Sequence, residues 1–324
     1  MRILMLTRFY HNGQSTHVFS LCEELKKQQQ SPCLNASQLG NPMYLHSLRQ
    51  HRIPVTTTER LTALLLFAKR NRIEIVHTHS AHSLPFALEI GRKLSVPVVA
   101  TCHYLEFEPI VQLKKAQKII TISQEMQSAY GFPEGKSTVI ENGVDLTVFK
   151  PNKKQRDRRL AVLLTRMTLK KEPGFLAVTQ ALSNLNWEVV SLGNWNPKIT
   201  PLSVRGWKSQ IHSHINEADL VIGTGRAIRE AMAAGCGAFV LGDWSDGLVT
   251  PENVTLLRHH NFSGRANKQT PNRDELESIL SALTPHRLSC LQAFGHRYAS
   301  DHFNLATTTK KTLDVYTLLV DESS

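Results

Sequence analysis

Cysteine is too scarce and too scattered in this sequence to hold the chain together. Five occur in 324 residues, Cys22, Cys33, Cys102, Cys236 and Cys290, with no Cys-x-x-Cys pair among them. An odd, dispersed set excludes a disulfide scaffold and a cysteine zinc site, and fits reduced thiols in a cytoplasmic protein. Long apolar runs are lacking too. The longest, LTALLLFA, falls far short of the roughly 20 residues that cross a bilayer. The opening MRILMLTRFY is too short for a signal-peptide core with a cleavage site, and reads as a first strand. Acidic residues are outnumbered, 27 against 38 basic, for a formal net charge of +11. That excess suits an acidic partner such as a nucleotide or an anionic lipid face, where contact is expected to be peripheral. No aromatic-rich basic stripe accompanies the charge, so nucleic acid is not an expected partner. Solenoid-length repeats and extended low-complexity tracts are also missing.

What the chain has is alternation. RILMLT precedes a helix near Thr16 to Lys27, and IEIVHT precedes one near Leu84 to Lys93. VPVVATC, KIITIS and STVIEN follow, with a short helix before the last. KPNKKQRDRR, from Lys150 to Arg159, is polar and basic and reads as a linker. The pattern then restarts with LAVLLT, a helix from Gly174 to Leu182, WEVVSLG, a helix near His212, DLVIGTG, a helix from Arg226 to Ala234, and GAFVLG. Short buried strands alternating with helices mean βαβ units and parallel sheets. The expectation is an α/β protein of two doubly wound halves, residues 1–150 and 151–324, with helices after about residue 285. Such folds bind ligands at the carboxyl ends of their strands, so a cleft between the halves is the expected site.

Several motifs fall at those strand ends. In GTGRAIREAM, Gly223, Thr224 and Gly225 form a turn and a helix starts at Arg226. Ile228 stands where a dinucleotide fingerprint needs its third glycine, and no Gly-Lys-Ser or Gly-Lys-Thr follows to make a P-loop. A glycine turn feeding a helix N-terminus still suits a phosphate. Glu230, one turn in, can accept from a ribose diol or pair with Arg226 at i,i+4. In TRMTLKK, Arg166 and Lys171 stand where a diphosphate would lie, one a bidentate fork and the other a point charge. NGQSTHV offers a turn at Gly13 and caps at Ser15 or Thr16. VVATCH ends on His103, and HTHSAH gathers His77, His79 and His82. With no carboxylate or cysteine at matching spacing, that run is not read as a metal site.

Together and in order, these segments resemble glycosyltransferase family 4. The resemblance rests on NGQSTHVFSLCEEL, on IEIVHTHSAHSLPFALEIGRKLSVPVVATCH and KIITIS, and on ENGVDLTVF, TRMTLKK and ADLVIGTGRAIREAMAAG. It implies a GT-B fold, two Rossmann-like domains facing a central cleft, with the last helix, about 298–324, packing back on the N-terminal domain. It also implies retaining, metal-independent transfer from a nucleotide diphosphate-sugar, with uridine the expected base, to a hydroxyl acceptor in envelope glycan, glycolipid or glycoside synthesis. By the same resemblance Gly13 and Gln14 approach the diphosphate, and Arg166 and Lys171 neutralise it. Backbone N–H groups from Gly225 to Ala227 bind phosphate or hexose, Glu230 holds the ribose and His103 contacts the transferred sugar. VRGWKS, at 204–209, lies where the base is held. No cofactor and no metal are implied, and location at the inner face of a membrane would be peripheral.

Three departures stand out. Ile222 replaces the family's earlier acid, Gln14 replaces the second glycine of the first loop, and QQQSPCLNASQLGNPM lacks the usual second-strand pattern. Gln14 is expected to project into ligand space, and Arg226 to compensate for the missing acid by gripping the diphosphate or an acidic sugar. Two other functions fit the same fold: a nucleotide-sugar epimerase and a non-catalytic nucleotide-sugar-binding protein.

Overall fold

The computed structural model describes residues 1–40, 42–152, 156–198, 202–208 and 210–322. Residues 153–155 of the expected linker and residue 209 of VRGWKS lie outside them. The chain forms two compact units, Met1–Gly143 with Leu305–Ser324, and Val144–Asn304.

Unit 1 runs β1 (Arg2–Arg8), α1 (Gly13–Lys27), β2 (Ser31–Ser37), α2 (Pro42–Gln50), β3 (Val55–Thr56), α3 (Leu61–Arg70), β4 (Ile75–Thr78), α4 (Leu84–Leu94), β5 (Val98–Cys102), α5 (Ile110–Leu113), β6 (Lys118–Thr121), α6 (Gln124–Tyr130) and β7 (Ser137–Val139). Unit 2 runs β8 (Leu160–Thr165), α7 (Glu172–Asn184), β9 (Glu188–Gly193), β10 (Ser203–Val204), α8 (His212–Ile215), β11 (Leu220–Gly223), α9 (Arg226–Ala233), β12 (Gly237–Leu241), β13 (Ser245–Leu248), α10 (Val254–His259), α11 (Arg273–Ser281) and α12 (Pro285–His302). The final helix, α13 (Leu305–Asp321), belongs to unit 1.

The unit 1 sheet has the order β3-β2-β1-β4-β5-β6-β7, and its strand pairs are parallel. Order reverses between β1 and β4, which opens a crevice at their carboxyl ends. The strands read as continuous apolar runs because both faces are covered. In β1, Leu4 and Leu6 pack in one layer with Val76 and Ala100. Ile3 and Met5 pack in the other with Val18, Leu25 and Tyr316.

The unit 2 sheet has the order β10-β9-β8-β11-β12-β13, with its reversal between β8 and β11. It is parallel apart from the antiparallel β12–β13 pair. Val162 and Val221 face one layer, and Leu163 and Ile222 face the other.

Two boundaries differ from the sequence expectation. Unit 2 begins at Val144, not 151, because the Val144 N–H donates to the Phe303 carbonyl at 2.7 Å and Phe149 packs in its core. The returning segment begins at Leu305, not 298, because α12 packs its Ala299 in the unit 2 core. In α13, by contrast, Tyr316 and Leu319 join the layer of Ile3 and Met5. A Cβ added at Gly143 would lie 2.6 Å from the Leu305 Cα, so only glycine admits this close return.

One further difference is β2. SPCLNAS pairs with all seven residues of β1, from Arg2 opposite Ser31 to Arg8 opposite Ser37. Its Pro32 is tolerated because β3 reaches only Leu34 and Asn35 on the other side.

Gly193 ends β9 at φ +126°, and an added Cβ there would lie 2.2 Å from the Thr165 carbonyl oxygen. Both the backbone conformation and the space demand glycine. Gly193→Ala is therefore expected to destabilise unit 2 by about 1–3 kcal/mol, read as a lowered thermal midpoint. An unchanged midpoint would contradict this geometry.

Candidate functional site

Each unit gathers its candidate residues where its strand order reverses. In unit 2 the segment after β8 carries Arg166, which is exposed, and Lys171, which stands at the N-cap of α7. The loop is pinned from β9. The Met167 N–H donates to the Asn194 Oδ1 at 2.7 Å, and the Asn194 Nδ2 donates back to the Met167 carbonyl at 3.4 Å. Lys171 Nζ folds over the loop and donates to the Arg166 carbonyl at 3.2 Å. Burial pulls the Lys171 pKa down, Asp243 raises it and Arg166 lowers it again. Asp243 thus offsets part of the repulsion between the two cations, and a bound anion would offset more. Asn194 and Asp243 were not singled out from the sequence. Neither belongs to a recognisable motif, and only the β8–β9 pairing brings Asn194 to the loop.

The second strand end is the Gly223 turn. Gly225, at φ +61°, is the N-cap of α9. Its N–H already donates to the Phe262 carbonyl at 2.8 Å, and the Ala227 N–H points to the Thr224 carbonyl at 3.3 Å. The amides expected to meet a phosphate from Gly225 to Ala227 are thus partly committed inside the protein. All eight residues of α9 are buried. Arg226 Nε donates to Glu230 Oε1 at 2.6 Å, with both side chains sequestered. Burial raises the Glu230 pKa and Arg226 opposes that shift. Hence Arg226, expected to grip a diphosphate, instead neutralises Glu230 one helical turn away. Ile222 is fully buried between Leu163 and Phe239 in the sheet, so β11 runs apolar straight into the turn.

In unit 1, Asn12 caps α1, its Oδ1 accepting from the Gln14 N–H at 3.1 Å and the Ser15 N–H at 3.4 Å. Gly13 is therefore the first helical residue, and α1 starts earlier than Thr16. The Gln14 side chain does not enter ligand space. Its amide donates to Thr7 Oγ1 at 3.1 Å and accepts from the Tyr104 hydroxyl, and the residue is buried. Tyr104 also accepts from the Asn12 Nδ2 at 3.1 Å. A glutamine between two hydroxyls is satisfied at both ends, which explains its inward turn.

His103 follows β5 and meets His79, which follows β4, with Nε2 and Nδ1 3.1 Å apart. Burial lowers the His103 pKa to about 3. His79 is pushed well below its ordinary value by burial and by His77, His103 and His17. Of the other two histidines of HTHSAH, His77 keeps its ring centroid 4.0 Å from that of His79 but has both nitrogens bonded elsewhere, and His82 leaves the group. His77 is bonded by the Tyr316 hydroxyl at Nδ1 and by Thr101 Oγ1 at Nε2. His82 pairs with Glu59 at 3.3 Å. His17, from the second turn of α1, joins the group, its ring centroid 5.4 Å from that of His103 and 5.7 Å from that of His79. The imidazoles of His79 and His103, with their lowered pKa values, can hydrogen-bond a sugar hydroxyl but carry no charge at neutral pH.

Residues 11–148, which include Gly13, Gln14 and His103, match the model of Glycosyltransferase Family 4. Over that stretch, less than half of its length, the chain is similar to glycosyltransferase family 4. Its two α/β units with parallel-sheet cores have the GT-B fold expected from the sequence. The glycosyltransferase of Rickettsia africae ESF-5 is 17% identical, with a TM-score of 0.74 over 98% of each chain. HepE of Anabaena, solved in complex with UDP-glucose, is 17% identical, with a TM-score of 0.75 over 98% of this chain and 100% of that one. UDP-GlcNAc 2-epimerase of Neisseria meningitidis, bound to UDP-GlcNAc, is 11% identical, with a TM-score of 0.66 over 97% and 99%. No curated protein matches the chain. The unit 2 candidates, from Arg166 to Glu230, lie outside the matched residues. No helix among the described residues is long and apolar enough to cross a membrane.

Proposed function

We propose that the chain is a retaining glycosyltransferase that moves a hexose or N-acetylhexosamine from a UDP-sugar to a hydroxyl acceptor. The observation that carries this reading is the Arg166–Lys171 pair on the loop pinned by Asn194, at the β8/β11 reversal. A diphosphate is the ligand that relieves two adjacent cations there, and it is the leaving group whose charge grows in the transition state. The UDP and UDP-sugar complexes of HepE support uridine as the donor base. In this reading unit 2 takes the nucleotide, with the second carboxylate oxygen of Glu230 offered to the ribose. Gly223, Thr224 and the start of α9 lie against the phosphate and sugar, and neutral His103 is the side chain offered to the transferred sugar. The bond from the anomeric carbon to the diphosphate oxygen breaks. The acceptor oxygen bonds to that carbon on the same face, and its proton passes to the departing phosphate. No resident metal is needed, because Arg166 and Lys171 supply the countercharge. The net charge of +11 favours an acceptor at an anionic membrane face, reached peripherally.

The test is incubation with UDP-glucose, UDP-N-acetylglucosamine and GDP-mannose, each with and without a panel of hydroxyl acceptors. Acceptor-dependent UDP release, and a glycoside keeping the donor's anomeric configuration by NMR, is the expected result. Inversion would refute the retaining course. Conversion of the donor without acceptor would establish an epimerase instead. UDP-sugar binding by calorimetry, with no turnover on any acceptor, would point to a non-catalytic binding protein.

A further inference from the structure

Three histidines from separate segments of unit 1 converge. One ring nitrogen of each of His17, His79 and His103 lies within 4.8 Å of the others. His79 Nδ1 and His103 Nε2, 3.1 Å apart, are already close to the roughly 3.4 Å that separates two imidazole nitrogens on a tetrahedral zinc with bonds of about 2.0–2.1 Å. His17 needs only a small ring movement to join them. The carriers are firm: α1 behind its Asn12 cap, and the ends of two central parallel strands, β4 and β5.

A second observation shows that these rings are incompletely satisfied. The facing nitrogens of His79 and His103 can share a single proton. In either tautomer, one of their outer nitrogens is then an N–H and the other a lone pair. Both of these, His79 Nε2 and His103 Nδ1, are buried without a hydrogen-bond partner among the described residues. Unfilled buried hydrogen-bonding capacity of this kind calls for a water or other partner beside the outer nitrogens, and a metal between the rings would take both facing lone pairs and leave both outer nitrogens as N–H donors to such partners. His77 does not share it, since two hydroxyls fill both its nitrogens.

Buried imidazoles are also in the form that metals bind. The cluster includes no carboxylate or thiolate. Neutral nitrogen donors select borderline ions such as Zn²⁺ over the hard Mg²⁺ and Ca²⁺.

We propose that His17, His79 and His103 form a site for a zinc-class divalent transition metal, with a fourth position left for water or an anion. Its effect on transfer rests on the role of His103 proposed above. A metal that takes a nitrogen of His103 withdraws that side chain from the sugar, so micromolar Zn²⁺ inhibits a reaction that needs no metal of its own.

The experiment titrates the full chain, free of donor, with Co²⁺ and with Zn²⁺. Co²⁺ is expected to give the intense visible bands of a four-coordinate ion. Zn²⁺ is expected to bind with one equivalent more in the wild type than in His17→Gln or His103→Gln, and at that site the affinity falls at least about tenfold in either variant. These two positions are chosen because His79 is fully buried and its variant risks misfolding. The wild-type Co²⁺ spectrum stands even if neither variant folds. Only the faint absorption of six-coordinate Co²⁺ would overturn the site, as would Zn²⁺ binding unchanged in both folded variants. Metal binding without loss of transfer, or with no transfer to lose, would support the site while counting against His103 as the sugar contact.

Discussion

Replacing both Arg166 and Lys171 by alanine is expected to weaken UDP binding by about 10²–10⁴-fold. Each charge-assisted hydrogen bond to a phosphate contributes about 1.5–3 kcal/mol, and each 1.4 kcal/mol is a factor of ten. Removing two such hydrogen bonds together gives that range. The fold should not suffer. Arg166 is exposed, and the loop keeps its Met167–Asn194 hydrogen bonds. The thermal midpoint without ligand is therefore expected to stay where it was. Wild-type affinity should also fall as salt rises, and the double variant should lose most of that dependence. The Lys171 pKa, held down by burial and by Arg166 against the opposing pull of Asp243, is expected to rise when UDP binds, because a diphosphate adds negative charge beside it. Titration calorimetry at two salt concentrations checks all of this. An affinity reduced by less than tenfold would remove the diphosphate from this loop.

The second large effect concerns the Arg226–Glu230 pair. Removing one partner of a buried ion pair typically costs about 3–5 kcal/mol, because the other charge is left uncompensated. Arg226→Ala should lower unit 2 stability by that amount at pH 7. Arg226→Met with Glu230→Leu, which removes both charges and keeps most of the volume, should recover the greater part. The pH dependence has a definite sign. Burial raises the folded pKa of Glu230 above its unfolded value. A raised carboxylate favours the folded state below the unfolded pKa, and that favour is lost as pH rises through the folded pKa. Without Arg226 the shift grows, so the defect of Arg226→Ala should be smaller near pH 4.5 than at pH 7. Thermal melts of the wild type, the single and the double variants at both pH values decide this. A melt of Arg226→Ala at pH 7 that matches the wild type would mean the pair contributes nothing. The cycle also bears on ligand binding. Donor affinity left unchanged in Arg226→Ala would refute the expected grip of Arg226 on the diphosphate.

The parallel sheets were legible because both of their faces are covered. RILMLT, LAVLLT and DLVIGTG carry apolar residues at odd and even positions alike, and no other element of ordinary length does so between helical patterns. β2 was not legible for the converse reason. Asn35 and Ser37 are buried in a strand whose sequence, SPCLNAS, carries turn residues. The strand exists because β1 offers it seven partners, a tertiary cause that its own residues do not announce. Of the site, the strand-end positions of Arg166, Lys171, Gly223 and His103 follow from the alternation alone. The commitments of their neighbours do not. Gln14 was expected to face a ligand and instead bridges Thr7 and Tyr104, ninety residues apart in sequence in the latter case. The histidine cluster differs from the sequence expectation in its membership. HTHSAH puts three histidines together on paper, but a strand end and its following turn aim them at different partners. The third member of the group, His17, lies on α1 and only the fold brings it there.

The return of α13 to unit 1 sets the order in which this protein can be finished during translation. Tyr316 fills the layer under Ile3 and Met5 and bonds His77, yet it is synthesised only after every residue of Val144–Asn304. The first sheet to leave the ribosome is thus the last to be completed. Until then, the layer of Ile3 and Met5 is covered by α1 but lacks Tyr316 and Leu319.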